Sequence, residues 1–148
     1  MSGMTSQLAN FAADLNYDDL PAEVIERTKL LIFDITGIMV RARHDAESTA
    51  SMISAVERLG LASGDCSVIG DTRAYAPTAA ALVNGTLAHS LDFDDTHAAG
   101  SLHSSAPIVP AALAAAEMAG SSGRDLIAAC VVGYEVQIRL ALALNPSE

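Results

Sequence analysis

Apolar residues recur at intervals of three and four along most of this chain, and that period restricts the fold more than any other feature. Leu8, Phe11, Ala12 and Leu15 share one face of a short first helix. "DDLPAEVIERTKLL" (18–31) opens a second, with acidic residues at its front and Pro21 in the first turn, where no helical bond needs its missing N–H. Its continuation "LLIFDITGIMV" (30–40) is apolar on nearly all sides and is expected inside the domain. Asp34 would then be a hydrogen-bonded interior carboxylate, or else face a cavity. A third helix is expected from about Ala46 to Leu59, ending at Gly60. Residues 60–77 are punctuated by Gly, Ser and Asp, with "CSVIG" (66–70) as a short extended piece.

A fourth helix should start near Thr78 and carry "AAALVNGTLAHSLDF" (79–93), followed by a loop from Gly100 to Ser105. Pro107 and Pro110 fit the opening of a fifth helix through Met118. In "GSSGRDLIAACVVGYEVQIRLALAL" (120–144) Ser122 and Asp125 stand at capping-box spacing for a sixth, which should stop at Asn145–Pro146. The expected fold is all-α, a bundle-like domain of about six helices spanning residues 1–148. Ending directly after so apolar a helix, the chain is expected to be followed by more protein.

Composition agrees with close-packed helices. Hydrophobic residues make up 51% of the chain but aromatics only 4%, and Trp is absent, so the core must be filled by small aliphatic side chains. The net charge is −10, Lys29 is the only lysine, and the seven arginines form no run. Nucleic acid would find no basic face here. Cys66 and Cys130 have neither CxxC spacing nor metal-ligand neighbours, as expected of reduced thiols. The N-terminus lacks a basic segment followed by an apolar one. The 30–40 stretch is too short to span a bilayer and contains Asp34. A cytoplasmic protein without membrane contact is expected.

One stretch departs from this pattern. "HSLDFDDTH" (89–97) packs three aspartates, a threonine and two histidines into nine positions. If the fourth helix continued through it, Gly85, His89, Asp92 and Thr96 would form one stripe, while Asp94 and Asp95 pointed elsewhere. Acidic groups at a helix C-terminus oppose the macrodipole, so they are poorly explained as stabilising devices. Three readings fit the residues: a solvated helix end, a metal site, or an acid–base centre that His103 joins from across the loop. The metal reading has His and Asp at suitable spacing but no Cys, HExxH or EF-hand pattern beside them.

The order of these residues resembles the MmgE/PrpD family, which includes 2-methylcitrate dehydratase, cis-aconitate decarboxylase and iminodisuccinate epimerase. "NGTLAHSLDFDDTH" (84–97) is similar to the family signature. "LANFAADLNYDDLPAEVIERTKLLIFDITGIMV" (8–40), "LHSSAPIVPAALAAAE" and "SGRDLIAACVVGYEVQIRLALAL" are similar to its flanks. The resemblance implies the N-terminal helical domain of a metal- and cofactor-independent lyase or isomerase acting on small di- or tricarboxylic acids, with dehydration of 2-methylcitrate as the leading expectation. Decarboxylation and epimerisation are the alternatives. It places Asp92, Thr96 and His103 at active-site positions of the decarboxylase branch, with His97 beside them. The chain has "HSS" (103–105) where the family usually has "HPS", and its spacing between Thr96 and His103 differs by one residue from the decarboxylase branch. Family members carry a second, α/β domain that supplies another histidine and the lysines holding substrate carboxylates. Alone, the 148-residue chain is therefore expected to be inactive. It should need a homo-oligomer, a partner chain or its missing half; a non-catalytic helical interaction module is the contrasting reading.

Overall fold

The structure is a computed structural model that describes residues 3–144. Six α-helices account for most of it: α1 (Met4–Asp14), α2 (Ala22–Asp45), α3 (Ser48–Arg58), α4 (Pro77–His89), α5 (Ser105–Ala119) and α6 (Gly123–Ala143). Two small antiparallel pairs interrupt them. Strand β1 (Cys66–Ser67) pairs with β2 (Ala74–Tyr75), and β3 (Thr96–His97) with β4 (Leu102–His103). The all-α expectation holds, the helices start within a few residues of their sequence signals, and "CSVIG" contains β1.

Small side chains let the central helices approach closely. Helix α4 buries Ala79, Ala80, Val83, Leu87 and Ala88, and its most extensive contact is with α5. At Gly85 an added Cβ would lie 3.4 Å from the Ala106 carbonyl oxygen, an ordinary contact, so the backbones approach to within one small side chain here. Pro110 lies inside α5 and cannot donate to that carbonyl, which is four residues earlier. Ile35 and Met39 of α2, Ile53 and Val56 of α3, and Tyr75 of β2 close the core on the other side. Asn84 ties α4 to the β1 segment: its Oδ1 accepts from the Ile69 N–H (2.8 Å) and its Nδ2 donates to the Ser67 carbonyl (2.9 Å).

Helix α6 begins with the capping box foreseen at Ser122 and Asp125, each accepting from the other's backbone N–H. Its expected stop at Asn145–Pro146 lies outside the described residues. By length and composition α6 could also cross a bilayer, but here it packs against α5, α2 and α1 as an element of the bundle.

Two expectations for α2 fail. The 30–40 segment buries Ile35, Ile38 and Met39, whereas Leu30, Phe33 and Val40 are exposed, Phe33 by 79%. Asp34 lies on the exposed side as well, so it is not an interior carboxylate. A single helix at the edge of a bundle meets its neighbours along one stripe only, whatever its composition.

The firmest polar anchor sits beside the β1–β2 pair. Asp71 accepts from the Tyr75 hydroxyl (2.9 Å) and from the Arg73 backbone and guanidinium (2.9–3.1 Å), with Arg43 at 3.4 Å. The Arg73 hydrogen bonds hold its carboxyl well below the usual carboxylate range. In the unfolded chain the same group binds a proton near pH 4, so acid favours unfolding. Stability contributed by Asp71 should be complete above about pH 4 and lost progressively below it. Urea midpoints at pH 7 and pH 3 should show a smaller acid loss for Asp71→Asn than for the parent. Equal losses would remove Asp71 as a source of acid sensitivity.

Candidate functional site

Helix α4 does not continue through the acidic cluster. It ends at His89, with the Ser90 hydroxyl donating back to the Thr86 carbonyl. Three residues on, Asp92 takes a left-handed backbone conformation (φ 55°), which aspartate tolerates better than most residues, and its N–H donates to the His89 carbonyl. The stripe of Gly85, His89, Asp92 and Thr96 expected on one helix is therefore absent. The turn exposes Phe93 and sends Asp94 inward.

Asp94 is the centre of what results. Its side chain is fully buried, and both carboxylate oxygens lie 3.0–3.1 Å from His89 Nδ1. His103 Nδ1 is 3.3 Å from Asp94 Oδ2, at ion-pair distance but without hydrogen-bond alignment, and is itself buried. The two imidazoles meet edge to face with centroids 4.8 Å apart. The other nitrogen of His103, Nε2, lies 3.9 Å from Asp92 Oδ1, whose side chain is 80% exposed. One donor atom from each of His89, Asp92, Asp94 and His103 lies within 4.8 Å of the others.

This group stands at an open cleft of about 750 Å³, whose wall includes Leu82, Gly85 and Thr86 of α4 and Pro107 of α5, together with both histidines. That is an ordinary volume for a small-molecule site. Among the described residues no arginine or lysine lines it.

Thr96 and His97 face a different space. They line a second cleft, of about 530 Å³, with Arg27, Ser104, Tyr134 and Glu135. Thr96 stands opposite His103 in the β3–β4 register, yet the two line separate clefts. His97 Nδ1 accepts from the Gly100 N–H (3.0 Å) and so closes the short turn Ala98–Gly100 between the strands. An added Cβ at Gly100 would lie 2.9 Å from that nitrogen. Asp95 Oδ1 accepts from the Ser105 N–H (3.0 Å) and ties the hairpin to the start of α5. Tyr134 shares a 2.5 Å hydrogen bond with the Ser105 hydroxyl, and burial pushes its phenol up to about 12.

Of the four residues singled out in the sequence, the structure thus brings Asp92 and His103 together and puts Thr96 and His97 on the neighbouring cleft. It adds Asp94, which was expected to point away from the stripe, and His89, which lay on that stripe but was not among the four. The turn that aims Asp94 inward depends on one left-handed residue, and no local pattern announces that. His89 was visible in the cluster, but its partner was not.

An imidazole with one nitrogen held by a buried carboxylate and the other open to a cleft can accept or donate a proton. Asp94 is placed to hold both rings in orientation, in the way outer carboxylates fix the histidines of other polar sites.

Comparison with known proteins bears on the same region. The family model of the MmgE/PrpD N-terminal domain matches residues 6–148. A cis-aconitate decarboxylase-like protein of Aspergillus oryzae is 36% identical over 150 residues, covering 95% of this chain and 30% of its own length. A cis-aconitate decarboxylase of Aspergillus terreus is 34% identical over 99% of this chain and 31% of its own. The human cis-aconitate decarboxylase is 36% identical over 95% of this chain and 30% of its own. The chain spans about a third of the length of these relatives. With its signature residues gathered around a buried aspartate at an open cleft, the chain belongs to the MmgE/PrpD family, through that family's N-terminal domain.

Proposed function

We propose that the chain supplies the helical part of a lyase that decarboxylates a small unsaturated tricarboxylic acid of the cis-aconitate type. The observation that carries this is the His103 imidazole, with Nδ1 against the buried Asp94 and Nε2 open beside Asp92. Loss of carbon dioxide leaves an electron pair on the substrate, and a protonated imidazole can supply the proton that quenches it. Asp92 Oδ1 stands 3.9 Å from Nε2. Thr96 and His97 act on the second cleft, where Arg27 is available to a substrate carboxylate.

The names of the relatives weigh for decarboxylation over the dehydration of 2-methylcitrate expected from the sequence. The cleft beside His103 has no cation of its own to hold a carboxylate, which supports a requirement for residues outside this chain. Turnover by the 148-residue chain alone is accordingly expected to be undetectable.

A chimera tests the reading. This chain would replace the matching first third of the Aspergillus terreus decarboxylase, and carbon dioxide release from cis-aconitate would be followed beside water loss from 2-methylcitrate. Decarboxylation is the expected result. Dehydration alone would move the chain to the other branch. A folded chimera inert toward both acids would sink the lyase reading.

A further inference from the structure

We propose that His89, Asp92, Asp94 and His103 form a binding site for a divalent metal ion of the zinc type. Zinc bound by nitrogen and oxygen has bonds of about 2.0–2.2 Å, so neighbouring donors of a tetrahedral site stand about 3.4 Å apart. His89 Nδ1 and Asp94 are separated by 3.0 Å, and His103 Nδ1 and Asp94 by 3.3 Å. Both imidazole nitrogens therefore stand near coordination spacing from Asp94, and small outward shifts admit the ion. Asp92 is the fourth. Its exposed side chain is free to swing the ångström or so that closes the set, all of whose donors now lie within 4.8 Å.

A separate observation points the same way. His103 Nδ1 is buried and has no hydrogen-bond partner, although a carboxylate lies beside it. A buried ring nitrogen without a partner is uncommon, and a metal ion would take its lone pair. The charge is also right. Two carboxylates face two imidazoles that are neutral when they ligate, with no lysine or arginine on the cleft wall, in a chain of net charge −10. Two nitrogen and two oxygen donors suit zinc, cobalt or nickel, whereas magnesium and calcium prefer oxygen throughout. Access is open, since the His89 side chain is 55% exposed.

Ligation uses the Nδ1 lone pair of each neutral ring, so the single ring proton sits on Nε2 and no doubly protonated imidazole is left. The loaded site has lost the groups that would move protons, so in a longer enzyme the ion acts as an inhibitor. The metal site itself does not depend on the lyase reading.

The test uses the 148-residue chain and cobalt(II) chloride or zinc chloride alone, without substrate. Calorimetry should show one saturable site per chain, and cobalt should develop the visible absorption of a four-coordinate ion. His89→Gln, Asp94→Asn and His103→Gln should each weaken binding at least about tenfold, while His44→Gln leaves it unchanged. Should a variant unfold by circular dichroism, zinc titration of the parent followed by imidazole NMR replaces it, with the His89 and His103 signals moving and His44 staying still. Absence of one-to-one binding by the folded chain would overturn the proposal. So would binding unchanged in a folded His103→Gln variant, or zinc-dependent shifts confined to other histidines.

Discussion

Replacing His103 by alanine in the active chimera should lower turnover on the order of 100-fold or more, the usual consequence of deleting a general acid–base group. The expectation rests on position. His103 has Asp94 3.3 Å behind its Nδ1, lies on the cleft wall, and keeps Nε2 beside Asp92. Alanine removes the ring but leaves the β3–β4 backbone pairing in place, so substrate affinity should change less than kcat. His97→Ala offers the contrast. That ring accepts from the Gly100 N–H, so its loss should loosen the hairpin turn and lower the melting temperature. Near-parental kcat in a folded His103→Ala chimera would take this imidazole out of the chemistry and shift attention to the cleft lined by Thr96.

How far the sequence could be read depended on whether the signal was periodic. Helix α6 was legible because Ser122 and Asp125 cap it and an unbroken apolar pattern follows. Likewise α4 was legible up to Ala88, since its small residues repeat at helical spacing. Periodicity does not say which helix will be peripheral, and so it placed Leu30, Phe33 and Asp34 inside when only one stripe of α2 meets the core. Nor does it mark a stop made by a single residue. The left-handed Asp92 ends the α4 segment, and with it the stripe that was to align His89, Asp92 and Thr96. Asp92 and His103 still converge, but through a turn and a hairpin rather than along one helix. Asp94 was the hardest to find. Its role comes from contacts five residues back and nine residues on, and the sequence shows only one more aspartate in an acidic run.

Asp94→Asn should be nearly as damaging as losing the imidazole, with kcat falling on the order of 10²–10⁴-fold. A carboxylate only accepts hydrogen bonds, so it calls for an Nδ1 proton on His89, at 3.0–3.1 Å, and tolerates one on His103, at 3.3 Å. The amide has one donor and one acceptor end. Whichever ring meets the donor must keep Nδ1 unprotonated, so it cannot be the doubly protonated ring that supplies a proton to the substrate. Volume and shape hardly change, so the melting temperature should stay near that of the parent while activity collapses. Imidazole nitrogen-15 shifts of the 148-residue chain provide the second reading. They should move from the Nδ1-protonated pattern toward the Nε2-protonated one at His89 or His103, and not at His44. A purely structural aspartate would give the reverse, a lower melting temperature with unchanged tautomers. Full activity in Asp94→Asn would mean that His103 needs no carboxylate behind it. The burial of a charged side chain between two histidines would then need another reason, and binding of a metal ion, as inferred above, is the one that the same atoms offer.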